Sequence, residues 1–213
     1  MPTAPDPANR ALIVIDVQND YDGGALPIEY PSFTQSVARI GEAMDAARAA
    51  GVKIVVVKQL APAGSPIFAA GAHGGELHPA VAGRPPDHYV EKKLPSAFAG
   101  TDLDAWIDAN GVSTITVVGY MTHNCDLSTI IHAAHRGLAV EFLADASGAL
   151  PYENSAGRVT AEEMHRVVCV ILQSRFAAVL STQDWIALLE TGKAAERDSI
   201  YASNQRALRA RAA

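Results

Sequence analysis

A three-layer α/β/α fold of Rossmann type, with a six-stranded and mainly parallel sheet, is what this sequence predicts, on three observations. Continuous β-branched apolar runs alternate with amphipathic segments of helical period, the pattern of βαβ units. The runs lack the apolar/polar alternation of a half-exposed sheet and so belong to strands covered on both faces. The 213 residues, 49% hydrophobic and 19% charged, suffice for one sizeable core without a second domain. The expected strand order is 3-2-1-4-5-6, that of doubly wound sheets.

The elements follow in chain order. Residues 1–10, polar and proline-rich, are expected to be extended or disordered, and lack the apolar core of an export signal. Ala11 to Asp16 reads as the first strand, Val37 to Ala50 as a helix closed by Gly51, and Val52 to Lys58 as the second strand. Residues 61–86, rich in Gly, Pro and Ala, read as a long ordered loop. A short third strand at Tyr89 to Glu91 precedes a helix over Asp102 to Asn110. The fourth strand, Thr114 to Val118, leads into a helix from Cys125 to Arg136, and Ala139 to Leu143 forms the fifth. A helix over Thr160 to Ser174, a sixth strand at Ala177 to Leu180 and a helix over Thr182 to Glu190 complete a domain spanning 11–190. Residues 191–213 form a charged helical tail, frayed or packed across a neighbouring subunit.

Charge narrows the partners. A formal net charge of −6 argues against a nucleic-acid groove or a basic membrane-binding surface, which need clustered Lys and Arg. No apolar run approaches the roughly 20 residues of a membrane span. The two cysteines, Cys125 and Cys169, show no metal-knuckle or disulfide spacing, which fits a reduced, cytoplasmic setting. A small-molecule partner is therefore expected.

Reactive groups in such sheets gather beyond the carboxyl ends of the strands. Cys125 stands where the fourth strand gives way to its helix, and unpaired N–H groups in a first helical turn favour the nucleophilic thiolate. Asp16 ends the first strand behind four apolar residues, so its carboxylate needs a partner or a raised pKa, as a general base does. Lys92 follows the third apolar stretch and would hold Asp16 charged, although Lys93 beside it is the competing choice. A buried inert thiol is the reading for Cys169 among its valines, and core or interface packing for Trp106 and Trp185. Tyr152 and Glu153 follow the fifth strand at the expected site end.

Three segments, D-V-Q-N-D-Y (Asp16 to Tyr21), K-K-L-P-S-A-F-A-G-T-D-L (Lys92 to Leu103) and G-Y-M-T-H-N-C (Gly119 to Cys125), with A-D-A-S (Ala144 to Ser147), resemble the isochorismatase-like cysteine hydrolases, which include nicotinamidases and N-carbamoylsarcosine amidases. The resemblance covers about Ala11 to Glu190. It implies an Asp16–Lys92–Cys125 triad, with Lys92 matching better than Lys93. It also implies an oxyanion hole from Met121 and Cys125 near a cis Tyr120–Met121 bond, a pocket lined by Phe98, and substrate contacts from Gln18, Tyr21 and Tyr152. Metal-binding relatives carry Asp-x-His after the second strand, where this chain has Gln59 and Ala61, so no metal is expected, and His73, His78 and His88 match no ligand signature. Asp126 stands where the family commonly has valine. The implied activity is cofactor-free, metal-independent hydrolysis of a small amide, ureide or lactam through a thioester, in a homo-oligomer. A ligand-binding or thiol redox-sensing protein is the alternative. A dinucleotide-binding domain ranks last, because D-V-Q-N-D-Y-D-G-G-A lacks G-x-G-x-x-G.

Overall fold

The computed structural model describes residues 7–211. Its central sheet runs β3-β2-β1-β4-β5-β8, all neighbours parallel, with β1 at Arg10–Ile15, β2 at Lys53–Gln59, β3 at His88–Lys92, β4 at Thr114–Tyr120, β5 at Ala139–Gly148 and β8 at Ala178–Leu180. This is the doubly wound order expected, with β8 as the sixth strand. Strand parity divides the core in two. From β1, Leu12 and Val14 pack under α1 (Phe33–Ala49) and α6 (Thr182–Thr191), where Ile40, Met44 and Trp185 are buried. Ile13 and Ile15 face the opposite layer of α3 (Leu103–Ala109), α4 (Leu127–His135) and α5 (Ala161–Arg175), with Ile107, Ile130 and Leu172. A strand covered on both faces buries both parities, which is why the run reads as unbroken apolar sequence.

Helix boundaries follow their caps. Ser32 accepts from Gln35 N and starts α1 four residues earlier than its apolar periodicity indicates. Thr160 and Glu163 form a reciprocal capping box at α5. At the amino end of the sheet, buried Arg10 donates to both carboxylate oxygens of Glu141 at 2.9 and 2.7 Å, and Glu141 also accepts from Thr116 and the Trp185 indole. Arg10 thus opens β1 as a sheet residue, and Pro7–Asn9 form a 3-10 turn before it; the expectation of an extended or disordered start lies, for residues 1–6, outside the described residues.

Four features depart from the sequence reading. Beyond Val117, β5 bulges, so that Gly119 pairs with Ser147 and the strand runs on to Gly148 instead of ending at Leu143. Tyr152–Asn154 and Gly157–Val159 form an exposed hairpin, β6–β7, whose solvated residues give no apolar signal. The 61–86 loop carries a short helix, α2 (Pro79–Ala82). In the tail, Ile200–Arg211 form α7, joined to α5 by Ser174 and Ser203, while Gln173 of α5 holds the preceding segment through Glu196 O; residues 212–213 lie outside the described residues. Among the described residues no helix is long and apolar enough to cross a membrane.

Candidate active site

The site forms at the carboxyl ends of β1, β2, β3 and β4, beside the point between β1 and β4 where strand order reverses. β1 delivers Asp16 on a tight turn. Asp16 adopts φ 50°, its N–H bonds Val57 O at 2.9 Å, and its carbonyl accepts from Gln18 N at 2.8 Å. Left-handed backbone is tolerated by aspartate, and here it turns the carboxylate inward. β3 separates the two lysines by parity: Val90 and Lys92 are buried, while Glu91 and Lys93 are exposed. β4 approaches β1 so closely that a Cβ on Gly119 would lie 2.1 Å from Ile15 O, leaving glycine as the residue that fits. The chain then passes the cis Tyr120–Met121 bond and widens into a π-type turn, Thr122–Asp126, closed by Asp126 N to Met121 O at 3.2 Å. Cys125 lies in that turn; α4 begins at Leu127, two residues later than the sequence indicates.

The structure brings Asp16, Lys92 and Cys125 together. Lys92 Nζ lies 2.6 Å from Asp16 Oδ2, 3.3 Å from Cys125 Sγ and 2.7 Å from Gln59 Oε1. Asp16 and Lys92 are 0% and 1% exposed, so each charge depends on the other. Burial raises the Asp16 pKa, opposed by the Lys92 charge and by hydrogen bonds from Lys92 and the thiol. Burial alone would lower Lys92, but the Asp16 charge and Cys125 outweigh it and hold the ammonium above its usual value. Cys125 corrects the expectation of a resting thiolate: burial first, then the Asp16 charge, push its thiol up against the pull of Lys92. The desolvation of a 5% exposed sulfur thus favours the neutral thiol over the thiolate. Asp126 is fully buried beside Ser147, and burial first, then the Asp16 charge, raise its pKa and favour the protonated acid.

A pocket of about 230 Å³ opens onto Cys125. Its apolar wall comprises Tyr21, Leu26, Ile67, Phe68, Pro95 and Met121, and its polar lining Gln59, Lys93 and Asn124. A larger depression of about 350 Å³ between α1 and α6 holds no nucleophile. Loop 61–86 reaches the site because Asp20 captures it: Asp20 Oδ2 accepts from Phe68 N at 2.6 Å, and a Cβ on Gly74 would collide with the same carboxylate at 2.1 Å. Gln18 clamps the loop from inside. Its amide donates to Gln59 O and Gly75 O and accepts from Gln59 N.

Of the four expected substrate contacts, only Tyr21 reaches the pocket wall. Gln18 is turned into the protein and its amide is consumed by backbone groups. Phe98 is buried in the core, stacked on His132 with ring centroids 4.8 Å apart. Tyr152 lies on the β6–β7 hairpin, edge-on to His123 at 4.8 Å. Gln59, Asn124, Ile67 and Phe68 were missed as pocket residues; Gln59 carried the one available signal, a polar side chain ending an apolar strand. Both His123 ring nitrogens are buried without a hydrogen-bond partner, and burial lowers this histidine to about 4. Among the described residues no three His, Cys, Asp or Glu side chains group closely enough to hold a metal ion. His78 caps α2 and His88 pairs with Asp102.

Fold and site define an α/β protein that presents an acid, an ammonium and a thiol at the switch point of a parallel sheet. The family model described as the isochorismatase domain matches residues 10–184, and the chain belongs to the isochorismatase family. It is similar to a candidate isochorismatase of Burkholderia xenovorans LB400 solved by crystallography, at 63% identity and TM-score 0.96 over 99% of this chain and all of that one. Among curated proteins it is 29% identical to the secreted isochorismatase effector Isc1 of Verticillium dahliae, over 86% of this chain and 93% of that protein. It is 28% identical to ureidoacrylate amidohydrolase RutB of Methylobacterium radiotolerans, over 84% and 78% respectively.

Proposed function

We propose that this protein is a cysteine hydrolase that cleaves a non-peptide carbon–nitrogen bond of a small molecule through a thioester on Cys125. The observation that carries the reading is the contact of one buried ammonium, Lys92, with both Asp16 at 2.6 Å and Cys125 at 3.3 Å, at the floor of a pocket of substrate size. Similarity to an amidohydrolase, RutB, supports the bond type.

The neutral thiol sets the sequence of steps. Asp16 takes the Sγ proton as the sulfur attacks the carbonyl carbon, and Lys92 stabilises the sulfur as its charge develops. The tetrahedral oxyanion accepts from the backbone N–H groups of Met121 and Cys125, both of which line the pocket. As the C–N bond breaks, the Asp16 carboxylic acid returns its proton to the departing nitrogen, leaving an amine or ammonia and the thioester. Asp16 then deprotonates water, which attacks the thioester carbon, and the proton passes back to the leaving sulfur. The acid product leaves and the thiol is restored.

A redox sensor needs an exposed thiol of low pKa. The 5% exposure and raised pKa of Cys125 favour the hydrolase. The test is Cys125→Ala and Cys125→Ser, checked for fold by circular dichroism and assayed for ammonia or amine release from a panel of amides, ureides and lactams. Both variants lose turnover on this reading. Wild-type rates in either one refute it.

A further inference from the structure

We propose that the substrate is the amide of a compact, uncharged hydrocarbon acid, with the acyl chain held against Tyr21, Phe68 and Ile67. The inference rests on the hydrolase reading above and specifies what that site takes.

Size comes first. At roughly 30 Å³ per water-sized group, a pocket of about 230 Å³ holds on the order of eight non-hydrogen atoms, the carboxamide included. A short acyl chain or a single ring fills it.

Chemistry comes next, from which lining groups remain free. The Gln59 amide oxygen is held by Lys92 at 2.7 Å, and its amide nitrogen donates to Leu60 O at 3.3 Å. Lys92 is committed to Asp16. Among the described residues Asn124 has no side-chain partner, which leaves it to orient the neutral carboxamide beside Cys125. Among the described residues no Asp, Glu or Arg lines the pocket, and its one lining cation among them, Lys93, is exposed at the rim, where water screens it. A substrate carboxylate or ammonium would leave water for an apolar wall with no buried counter-charge.

The apolar wall is built in. Phe68 stands at φ 52° with its N–H fixed by the Asp20 carboxylate, and its ring packs on Tyr21 with centroids 5.3 Å apart. A wall pinned by a charged hydrogen bond is pre-organised to hold an acyl group in one orientation.

The experiment compares kcat/KM for three amides of similar length: pentanamide, succinamate with a terminal carboxylate, and 4-aminobutanamide with a terminal ammonium. The full-length enzyme is expected to prefer pentanamide by at least tenfold over either charged amide. Ile67→Lys, a substitution at a half-exposed rim position, is expected to narrow the gap to succinamate several-fold. Cys125-dependent turnover of succinamate or 4-aminobutanamide at or above the pentanamide rate overturns the substrate class and leaves the hydrolase reading intact. The substrate class is likewise overturned, and the hydrolase reading kept, if none of the three is cleaved while a ureide or lactam acylates Cys125. If no amide, ureide or lactam acylates Cys125, both readings fall together.

Discussion

Lys92 donates to Gln59 Oε1 at 2.7 Å, and the backbone N–H and carbonyl of Gln59 are both bonded to the side chain of Gln18. The ammonium between acid and thiol is thus located by a residue that never meets the pocket. Replacing Gln18 by methionine, similar in length, strips partners from Gln59 N–H, Gln59 O and Gly75 O. Buried groups left unpaired cost about 1–3 kcal/mol each. We expect a stability loss of about 3 kcal/mol or more in urea unfolding and a fall in kcat of about tenfold. KM is expected to change less than kcat, because Gln18 does not line the pocket.

The two adjacent lysines are predicted to behave oppositely. Lys92→Met leaves the fully buried Asp16 without its counter-ion, a change that typically costs about 3–5 kcal/mol, and it removes the stabiliser of the developing thiolate. Lys93→Met alters an exposed side chain and is expected to stay within about 0.5 kcal/mol of wild type. Thermal denaturation and amide hydrolysis measured side by side check the pair; equal effects would contradict the parity of β3.

The pH dependence follows from the directions of the shifts. Turnover requires Asp16 ionised, and burial raises its pKa despite Lys92, so kcat/KM falls as pH drops through a value above 3.8. Lys92 is held above 10.5 by Asp16 and Cys125, against its burial, so no loss from its deprotonation is expected below that pH. The profile is a rise to a plateau, and a decline beginning near neutrality would contradict the assignment of Lys92.

Asp126 tests whether the second buried carboxyl carries charge. Burial and the Asp16 charge both favour its protonated form, so it is expected to be neutral. Asp126→Asn then exchanges one neutral group for another and leaves the acid limb of the profile in place. An ionised Asp126 would act otherwise: removing its charge would lower the Asp16 pKa and shift the limb to more acid pH.

The sheet was legible because its strands bury both faces, and runs such as Ala11–Ile15 and Thr114–Val118 therefore stand out in the sequence. Asp16 and Cys125 were legible because strand ends in such sheets are exposed to the switch point. Residue chemistry left Lys92 and Lys93 open, and the resemblance alone favoured Lys92, since parity is fixed by the register of β3 on β2, Gln59 opposite Lys92, a long-range pairing. The π-type turn at Thr122–Asp126 escaped notice because T-H-N-C-D has no residue that demands it. Tyr152 does not line the pocket but lies near enough to Cys125 to feel its charge. Gln18 and Phe98 are turned into the protein, away from the pocket lining, and facing depends on tertiary contacts. The pocket wall was hidden for the same reason. Ile67 and Phe68 belong to a loop of Gly, Pro and Ala whose position depends on one carboxylate, Asp20, far away in sequence.

Intact-mass spectrometry of the enzyme during turnover of an activated amide or ester addresses the thioester most directly. A mass increase equal to the acyl group is expected, mapped by peptide analysis to Cys125, that decays in excess water and never forms in Cys125→Ala. Turnover with no adduct in wild type and unchanged rates in Cys125→Ala would contradict it.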